Sequence, residues 1–197
     1  GRFYLLRNHK RKNDVTVLKS AFPDFFRGEM LDLFKIPSDR KNHPRWIVES
    51  DIDPNFFGPS LTDTDVGKKY RSYIFEKYRE MFDLENMLHP NYKEAKFAGG
   101  EPVYWGDFIL EFPSGKRLHR HTDDFPEWNR ELRFNCLLQS PEDGGVYTIN
   151  GKRYFLEEGD IIVFSPNFNT HSTTRVRGKK SRIIASLSFL TKYFEDL

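Results

Sequence analysis

Hydrophobic and polar positions along the chain change period near residue 92. Upstream, apolar residues recur every three or four positions. Phe26, Met30 and Phe34 stand at i+4 spacing behind Pro23, which suits a first helical turn, so the pattern predicts a helix over 23–34. A longer helix is predicted over 64–88. There Val66, Tyr70, Tyr73, Ile74, Tyr78, Met81 and Phe82 make one stripe, Lys77 interrupts one edge, and Lys68, Lys69, Glu76 and Arg79 lie off it. Pro90 follows as a stop signal. Residues 3–6 and 15–18 read as short strands. Pro37, Pro44, Pro54 and Pro59 mark 37–62 as loop.

Downstream the period falls to two. Strands are predicted over 103–112, 117–122, 132–139, 146–149, 153–156, 161–164, 168–176 and 182–190, divided by Gly-, Pro- and Asp-rich turns. Asn150-Gly151 between two of them signals a type I′ hairpin. Eight short strands at this spacing suggest a jelly-roll or barrel, so the fold class is mainly β with flanking helices. A length of 197 residues supports one substantial core and leaves little room for two. The expected organisation is a single domain over 1–197: helical and loop support in 1–92, a strand-built core in 93–190 and a tail in 191–197.

Charge and cysteine content remove several function classes. The net charge of +2 gives no global case for nucleic acid or membrane binding, and the basic run His9–Lys12 reads as a solvated segment. Cys136 is the only cysteine, which rules out an intrachain disulfide and fits a reducing, cytoplasmic setting. It lies in the mostly apolar run 134–138 and is expected to pack as a small hydrophobe. No apolar stretch reaches membrane-spanning length.

Candidate chemistry concentrates in the strand region. His121 and Asp123 form an H-x-D pair, and residues i and i+2 of a strand face one side, so both can point inward. His171 follows Gly159-Asp160 and an apolar strand ending at Pro166. Two imidazoles and one carboxylate suit Fe(II) and leave half of an octahedral ion open, the facial-triad arrangement of non-haem iron sites. Arg182 stands in phase with Ile184, Ser186 and Ser188, where a fixed cation can hold the far carboxylate of a keto acid. Asn135 lies in phase with Arg133 and Leu137; its amide either meets the near carboxylate of that keto acid or bonds internally. Arg133 either binds substrate or pairs with Asp124 or Glu131. His119 shares the His121 face as a ligand, a donor behind the ligands or a core histidine. In the 123–130 loop, Asp124, Phe125, Glu127 and Trp128 are candidates for substrate contact and a lid. His9, His43 and His89 are expected at the surface.

The run from Gly144-Gly145 through Gly159-Asp160 to His171, with H-x-D before it and Arg182 after it, resembles the 2-oxoglutarate/Fe(II)-dependent oxygenase superfamily. The likeness is to its prolyl-hydroxylase-like and small-molecule hydroxylase branches and covers residues 102–190. It implies a double-stranded β-helix (jelly-roll, cupin-like) core with helices outside. It implies His121, Asp123 and His171 as iron ligands, Arg182 as the 2-oxoglutarate clamp, and O2 as oxidant. The substrate would be a small molecule such as an amino acid, or a peptidyl residue such as proline. One departure matters: many relatives place Ser two residues after the Arg, where this chain has Ile184, so another residue must complete the carboxylate site. Related halogenases carry a small residue in place of the carboxylate ligand; with Asp123 present, hydroxylation is favoured. The alternative is a metal-binding cupin, which uses His119 as a ligand and leaves Arg182 without a role.

Overall fold

The computed structural model describes residues 11–33, 55–56, 61, 64–90, 96–98, 101–103, 107–123 and 130–192. Its centre is a six-stranded antiparallel sheet in the order β1-β9-β6-β11-β5-β2. The strands are β1 (Val15–Leu18), β2 (Asn55–Phe56), β5 (Phe108–Phe112), β6 (Glu131–Gln139), β9 (Ile161–Phe164) and β11 (Arg182–Leu190). A smaller antiparallel sheet, β10-β7-β8, comprises β7 (Tyr147–Ile149), β8 (Lys152–Tyr154) and β10 (His171–Thr173). Strands β3 (Lys96–Ala98) and β4 (Glu101–Val103) pair with each other. Among the described residues there are two α-helices, α1 (Asp24–Leu33) and α2 (Asp65–Tyr78). The chain is thus mainly β, with helices set against an antiparallel sheet.

Period-two alternation gives the large sheet two chemically different faces. Leu132, Phe134, Cys136 and Leu138 of β6, Ile161 and Val163 of β9, and Ile183, Ala185, Leu187 and Phe189 of β11 point to the helices. They pack against Phe26 and Met30 of α1 and Tyr70, Ile74 and Tyr78 of α2. The rings meet edge-on: Phe134 lies 5.1 Å from Phe82 and 5.4 Å from Phe189. The opposite face carries Arg133, Asn135 and Leu137 of β6, Phe164 of β9, and Arg182, Ile184 and Ser186 of β11. The small sheet covers part of it, Tyr147 and Ile149 packing on Ile162 and Phe164.

Register sets these rows. β11 pairs with β6 as Ser188↔Arg133, Ser186↔Asn135 and Ile184↔Leu137, with a shift beyond Ile184. On its other side β11 pairs with β5 as Ser186↔Phe108, Ile184↔Leu110 and Arg182↔Phe112. The tight turn at Asn150-Gly151 has φ of 51° and 79°, the doubly positive backbone that a type I′ turn demands.

Several expectations change in detail. The second helix ends at Tyr78 rather than running to 88. Thr64 caps its start, its hydroxyl accepting from Gly67 N. Past residue 78 the chain turns through Asp83 (φ 50°) and joins the end of β11: Leu84 bridges Thr191 and Glu85 N donates to Leu190 O. Phe82 still reaches the core, because the turn keeps it under the sheet. The expected strand 103–112 divides between β4 and β5, which belong to different sheets. The expected strand 117–122 is a looser ribbon along β10, bridged at His121↔His171. The expected strand 168–176 shortens to His171–Thr173. The outer strands of the large sheet, β1 and β2, come from the first third of the chain, and β2 falls inside the stretch expected to be loop. His89 is buried, its Nε2 3.7 Å from Asp107. The expected strand 3–6, His9, His43, and Asp124, Phe125, Glu127 and Trp128 lie outside the described residues.

Asp160 ties β1 to the turn that enters β9. Its carboxylate accepts from Lys19 Nζ at 2.8 Å, Ser20 N at 2.8 Å and Glu157 N at 2.9 Å. Burial raises its pKa, but the Lys19 ammonium and the two amides outweigh it, and the group titrates below the ordinary carboxylate range. A depressed folded pKa stabilises the fold above the unfolded value of about 3.9, and that stability is lost as pH falls through the folded value. Asp160→Asn should cost about 1–2 kcal/mol at neutral pH, where charged hydrogen bonds have that worth and the exposed Lys19 adds little. Urea unfolding at pH 7 and at pH 3 checks this: the gap between variant and wild type should narrow at the lower pH.

Candidate metal centre

His121, Asp123 and His171 converge. One donor atom from each lies within 4.8 Å of the others. His121 Nε2 is 3.2 Å and His171 Nε2 3.5 Å from the same oxygen, Asp123 Oδ1. Three contacts bring together residues fifty positions apart in sequence. His121 N donates to His171 O at 3.1 Å, His171 N returns the bond to His121 O at 2.9 Å, and Asp123 N donates to Pro166 O at 2.9 Å. The 117–122 ribbon and β10 therefore hold the two imidazoles side by side, ring centres 4.4 Å apart.

The other ring nitrogens decide what the cluster can do. His121 Nδ1 lies 2.8 Å from His119 O, and His171 Nδ1 lies 2.9 Å from Asn169 O. A carbonyl oxygen only accepts, so each Nδ1 carries a proton and each Nε2 is turned toward Asp123, where a metal ion can take its lone pair when that nitrogen is unprotonated. Two lone pairs and a carboxylate aimed at one point repel unless a cation sits among them. Two donors at right angles on an ion with bonds of about 2.1 Å lie about 3 Å apart. The Nε2–Oδ1 separations of 3.2 and 3.5 Å approach that spacing, and the three donors, all within 4.8 Å of one another, are of the types that hold a divalent ion.

Electrostatics prepares the carboxylate for this role. Burial would push Asp123 up, but the Arg133 guanidinium and both imidazoles outweigh it and hold its pKa well below the ordinary value. Burial likewise opposes charge on His121, yet the Asp123 contact and the His119 carbonyl raise its pKa overall. A proton at His121 and a metal at the cluster thus compete for one position.

Arg182 lines the same cavity, 1% exposed. Its guanidinium stacks between Tyr147 (4.6 Å) and Phe112 (5.3 Å). One terminal nitrogen is buried with no hydrogen-bond partner. Asn135 Oδ1 and Ser186 Oγ on the same wall are also unpaired. Such groups are expensive to bury without a partner, and a buried cation most of all. The Gly144-Gly145 turn makes room for the arginine: a Cβ on Gly145 would fall 2.7 Å from Arg182 Cδ, and one on Gly144 would strike Arg175 O.

The remaining sequence candidates distribute unevenly. Asn135 lines the cavity and donates from Nδ2 to Tyr147 Oη at 3.0 Å, an internal bond to a side chain rather than to backbone. Arg133 also lines the cavity and pairs with Asp123 and with Glu131, one of the two partners anticipated for it; the other, Asp124, lies outside the described residues. His119 is not part of the cluster among the described residues; its ring lies 4.8 Å from that of His121, which its carbonyl orients. Ile184 contributes an apolar wall. Tyr147 and Ser186 were not singled out in sequence. The alternation that places Arg182 inward also places Ser186 there, whereas nothing near Tyr147 in sequence announces its neighbours.

No protein-family model matches the sequence, and no curated protein matches it. Solved structures do match in shape. HygX from Streptomyces hygroscopicus, with nickel and 2-oxoglutarate bound, superposes with a TM-score of 0.60 at 12% identity, over 98% of this chain and 87% of that one. The viral collagen prolyl hydroxylase vCPH from Paramecium Bursaria Chlorella virus-1, in a 2OG complex, gives 0.53 at 16% identity over 90% and 96%. A prolyl-4-hydroxylase from Pseudomonas putida gives 0.53 at 14% over 90% and 86%. Identities this low establish a shared fold, and the coverage shows that the likeness spans nearly the whole of each neighbour.

His171→Ala should remove one donor and collapse divalent-ion affinity while the fold persists. A Mn(II) titration beside a thermal melt reads both effects, and wild-type affinity in a folded variant would exclude His171 as a ligand.

Proposed function

We propose that the protein is a 2-oxoglutarate- and Fe(II)-dependent dioxygenase that hydroxylates an unactivated C–H bond, and that its two sheets are the halves of a double-stranded β-helix. The reading rests on one observation above all: a His121/Asp123/His171 donor set and a buried Arg182 guanidinium with one unpaired nitrogen line the same cavity. An ion alone leaves Arg182 unsatisfied. A dicarboxylate alone leaves three electron-rich ligands facing each other. A molecule with a chelating end and a distal carboxylate satisfies both, and 2-oxoglutarate is such a molecule. The structural neighbours named as 2-oxoglutarate complexes support the choice.

Fe(II), bound by His121, Asp123 and His171 with 2-oxoglutarate and O2, would supply oxidative decarboxylation to succinate and CO2 coupled to hydroxylation of the substrate. The protein's own residues account for the rest. Arg182, held between Phe112 and Tyr147, meets the distal carboxylate with its free nitrogen. The residue that replaces the missing serine at position 184 is Tyr147 in this reading. Asn135 already donates to the Tyr147 oxygen, so the phenol proton remains available for the carboxylate beside Arg182. Phe112, Leu118 and Phe164 keep water from these charges, which strengthens every contact among them. Because His119 stands outside the ligand set and Arg182 has a role, the cupin alternative loses the feature that favoured it. The substrate class stays as the sequence framed it, a free amino acid or similar small molecule or a peptidyl residue.

Adding Fe(II) and 2-oxoglutarate without oxygen should produce a weak visible charge-transfer band, which requires the keto acid to chelate the bound metal. Arg182→Ala should weaken 2-oxoglutarate binding by about 2–5 kcal/mol, the cost of breaking a buried charged pair, and leave Mn(II) affinity nearly intact. Equal keto-acid affinity in that variant would sink the clamp.

The intact carboxylate ligand fixes the expected reaction type. With Asp123 present, chloride should yield no chlorinated product. Asp123→Gly should lose most hydroxylation, measured as succinate release, and gain at most slight halogenation. Full hydroxylation in that variant would exclude Asp123 from the metal.

A further inference from the structure

We propose that Arg133 is a positioning residue for Asp123: it holds Oδ2 so that the carboxylate offers a metal ion Oδ1 alone. The inference rests on the metal-centre reading above and adds a role for a buried ion-pair chain that the cosubstrate site does not use.

The chain begins at Asp123. Its two oxygens face different partners: Oδ1 lies 3.2 and 3.5 Å from the two imidazole Nε2 atoms, and Oδ2 lies 3.0 Å from Arg133 Nη1. Arg133 uses its other terminal nitrogen on Glu131 Oε1 at 3.1 Å. Glu131 is completely buried, and the same oxygen accepts from Ser188 Oγ at 2.6 Å. Ser188 stands directly opposite Arg133 in the β6–β11 register, so the far end of the chain is fixed by the central strand pair. A guanidinium suits the task because its planar fork reaches two carboxylates at a fixed angle, whereas an ammonium is a point charge on a flexible stem.

This arrangement affects both coordination and charge. A carboxylate free to rotate can chelate through both oxygens and take one of the three remaining positions of an octahedral ion. With Oδ2 occupied by Arg133, Asp123 spends one position and three stay open, two for a chelating keto acid and one for O2. A lone guanidinium this close would also repel a dication. Glu131 offsets that charge, so the ion meets the carboxylate without a net opposing cation behind it.

The test replaces the chain without changing net charge. In Arg133→Met/Glu131→Gln one positive and one negative charge disappear together, the methionine fills the arginine's volume, and the glutamine keeps a partner for Ser188. Co(II) serves as the probe, titrated without oxygen and followed by its visible absorption. We expect about 10–100-fold weaker Co(II) binding, the usual cost of losing a partner behind a ligand, and altered Co(II) bands as Asp123 gains freedom to chelate. Arg133→Lys, which keeps the charge and loses the fork, should shift the bands in the same direction with a smaller loss of affinity. A folded double variant, judged by thermal melt, with wild-type affinity and spectrum would overturn the proposal. If the double variant does not fold, an unchanged spectrum in Arg133→Lys would overturn it instead. Wild-type protein that fails to bind Co(II) would defeat the metal-centre reading and this inference together, whereas wild-type binding with indifferent variants would defeat this inference alone.

Discussion

The pairing of β6 with β11 is the constraint on which the rest of the structure depends. These are the two longest strands, they lie side by side at the centre of the large sheet, and their register aligns Arg133 with Ser188 and Asn135 with Ser186. Because strand side chains alternate, one register sends Leu132, Phe134, Leu187 and Phe189 into the helix-packed core and sends Arg133, Asn135, Ser186 and Arg182 toward the cavity. A one-residue slip would invert both sets at once. It would bury arginines among the phenylalanines and strip the cavity of its charged groups. Core stability and the candidate site are therefore consequences of the same hydrogen-bond ladder.

That ladder carries buried charges, most of them in ion pairs. Asp123, Arg133 and Glu131 form a run of ion pairs, and Ser188 donates to its far end. Arg71 and Asp107 form a second buried pair on the helix side, where Asp107 also receives Ser188 N and anchors α2 to the sheet. Arg182 differs from Arg71 and Arg133 in having no carboxylate partner among the described residues; aromatic rings flank it and one of its nitrogens is unpaired. A fold tolerates an unpaired buried cation when a ligand completes it, which is why the cavity reads as a site rather than as a packing defect.

The small sheet completes the geometry from the other side. The doubly bonded pair between His121 and His171 sets the imidazoles together, and the two carbonyls of His119 and Asn169 fix which nitrogen of each faces inward. Asn169 in turn donates to the carbonyls of Ser165 and Lys12, so the setting of the His171 ring reaches back to the start of the described chain. These bonds hold the three candidate donors in their relative positions.

Periodicity, turn chemistry and residue type were fully present in the sequence. They specified helices before residue 92 and strands after it, the Asn150-Gly151 hairpin, the inward phase of Arg133, Asn135 and Arg182, and a His/Asp/His set suited to a divalent ion. These features are local: i+2, i+3 and i+4 relations follow from backbone geometry alone. What tertiary structure decided involves residues far apart in the chain. The second helix stops at Tyr78 because Leu84 and Glu85 pair with the end of β11. The expected 103–112 strand divides because Val103 pairs in one sheet and Phe108–Phe112 in another. His119 leaves the metal cluster and lends it a carbonyl, Arg133 chooses Asp123 and Glu131, and Tyr147 arrives beside Arg182 from a strand in another sheet. No local pattern encodes those choices, since each depends on which strands become neighbours and in what register, and that is settled only when the whole core packs.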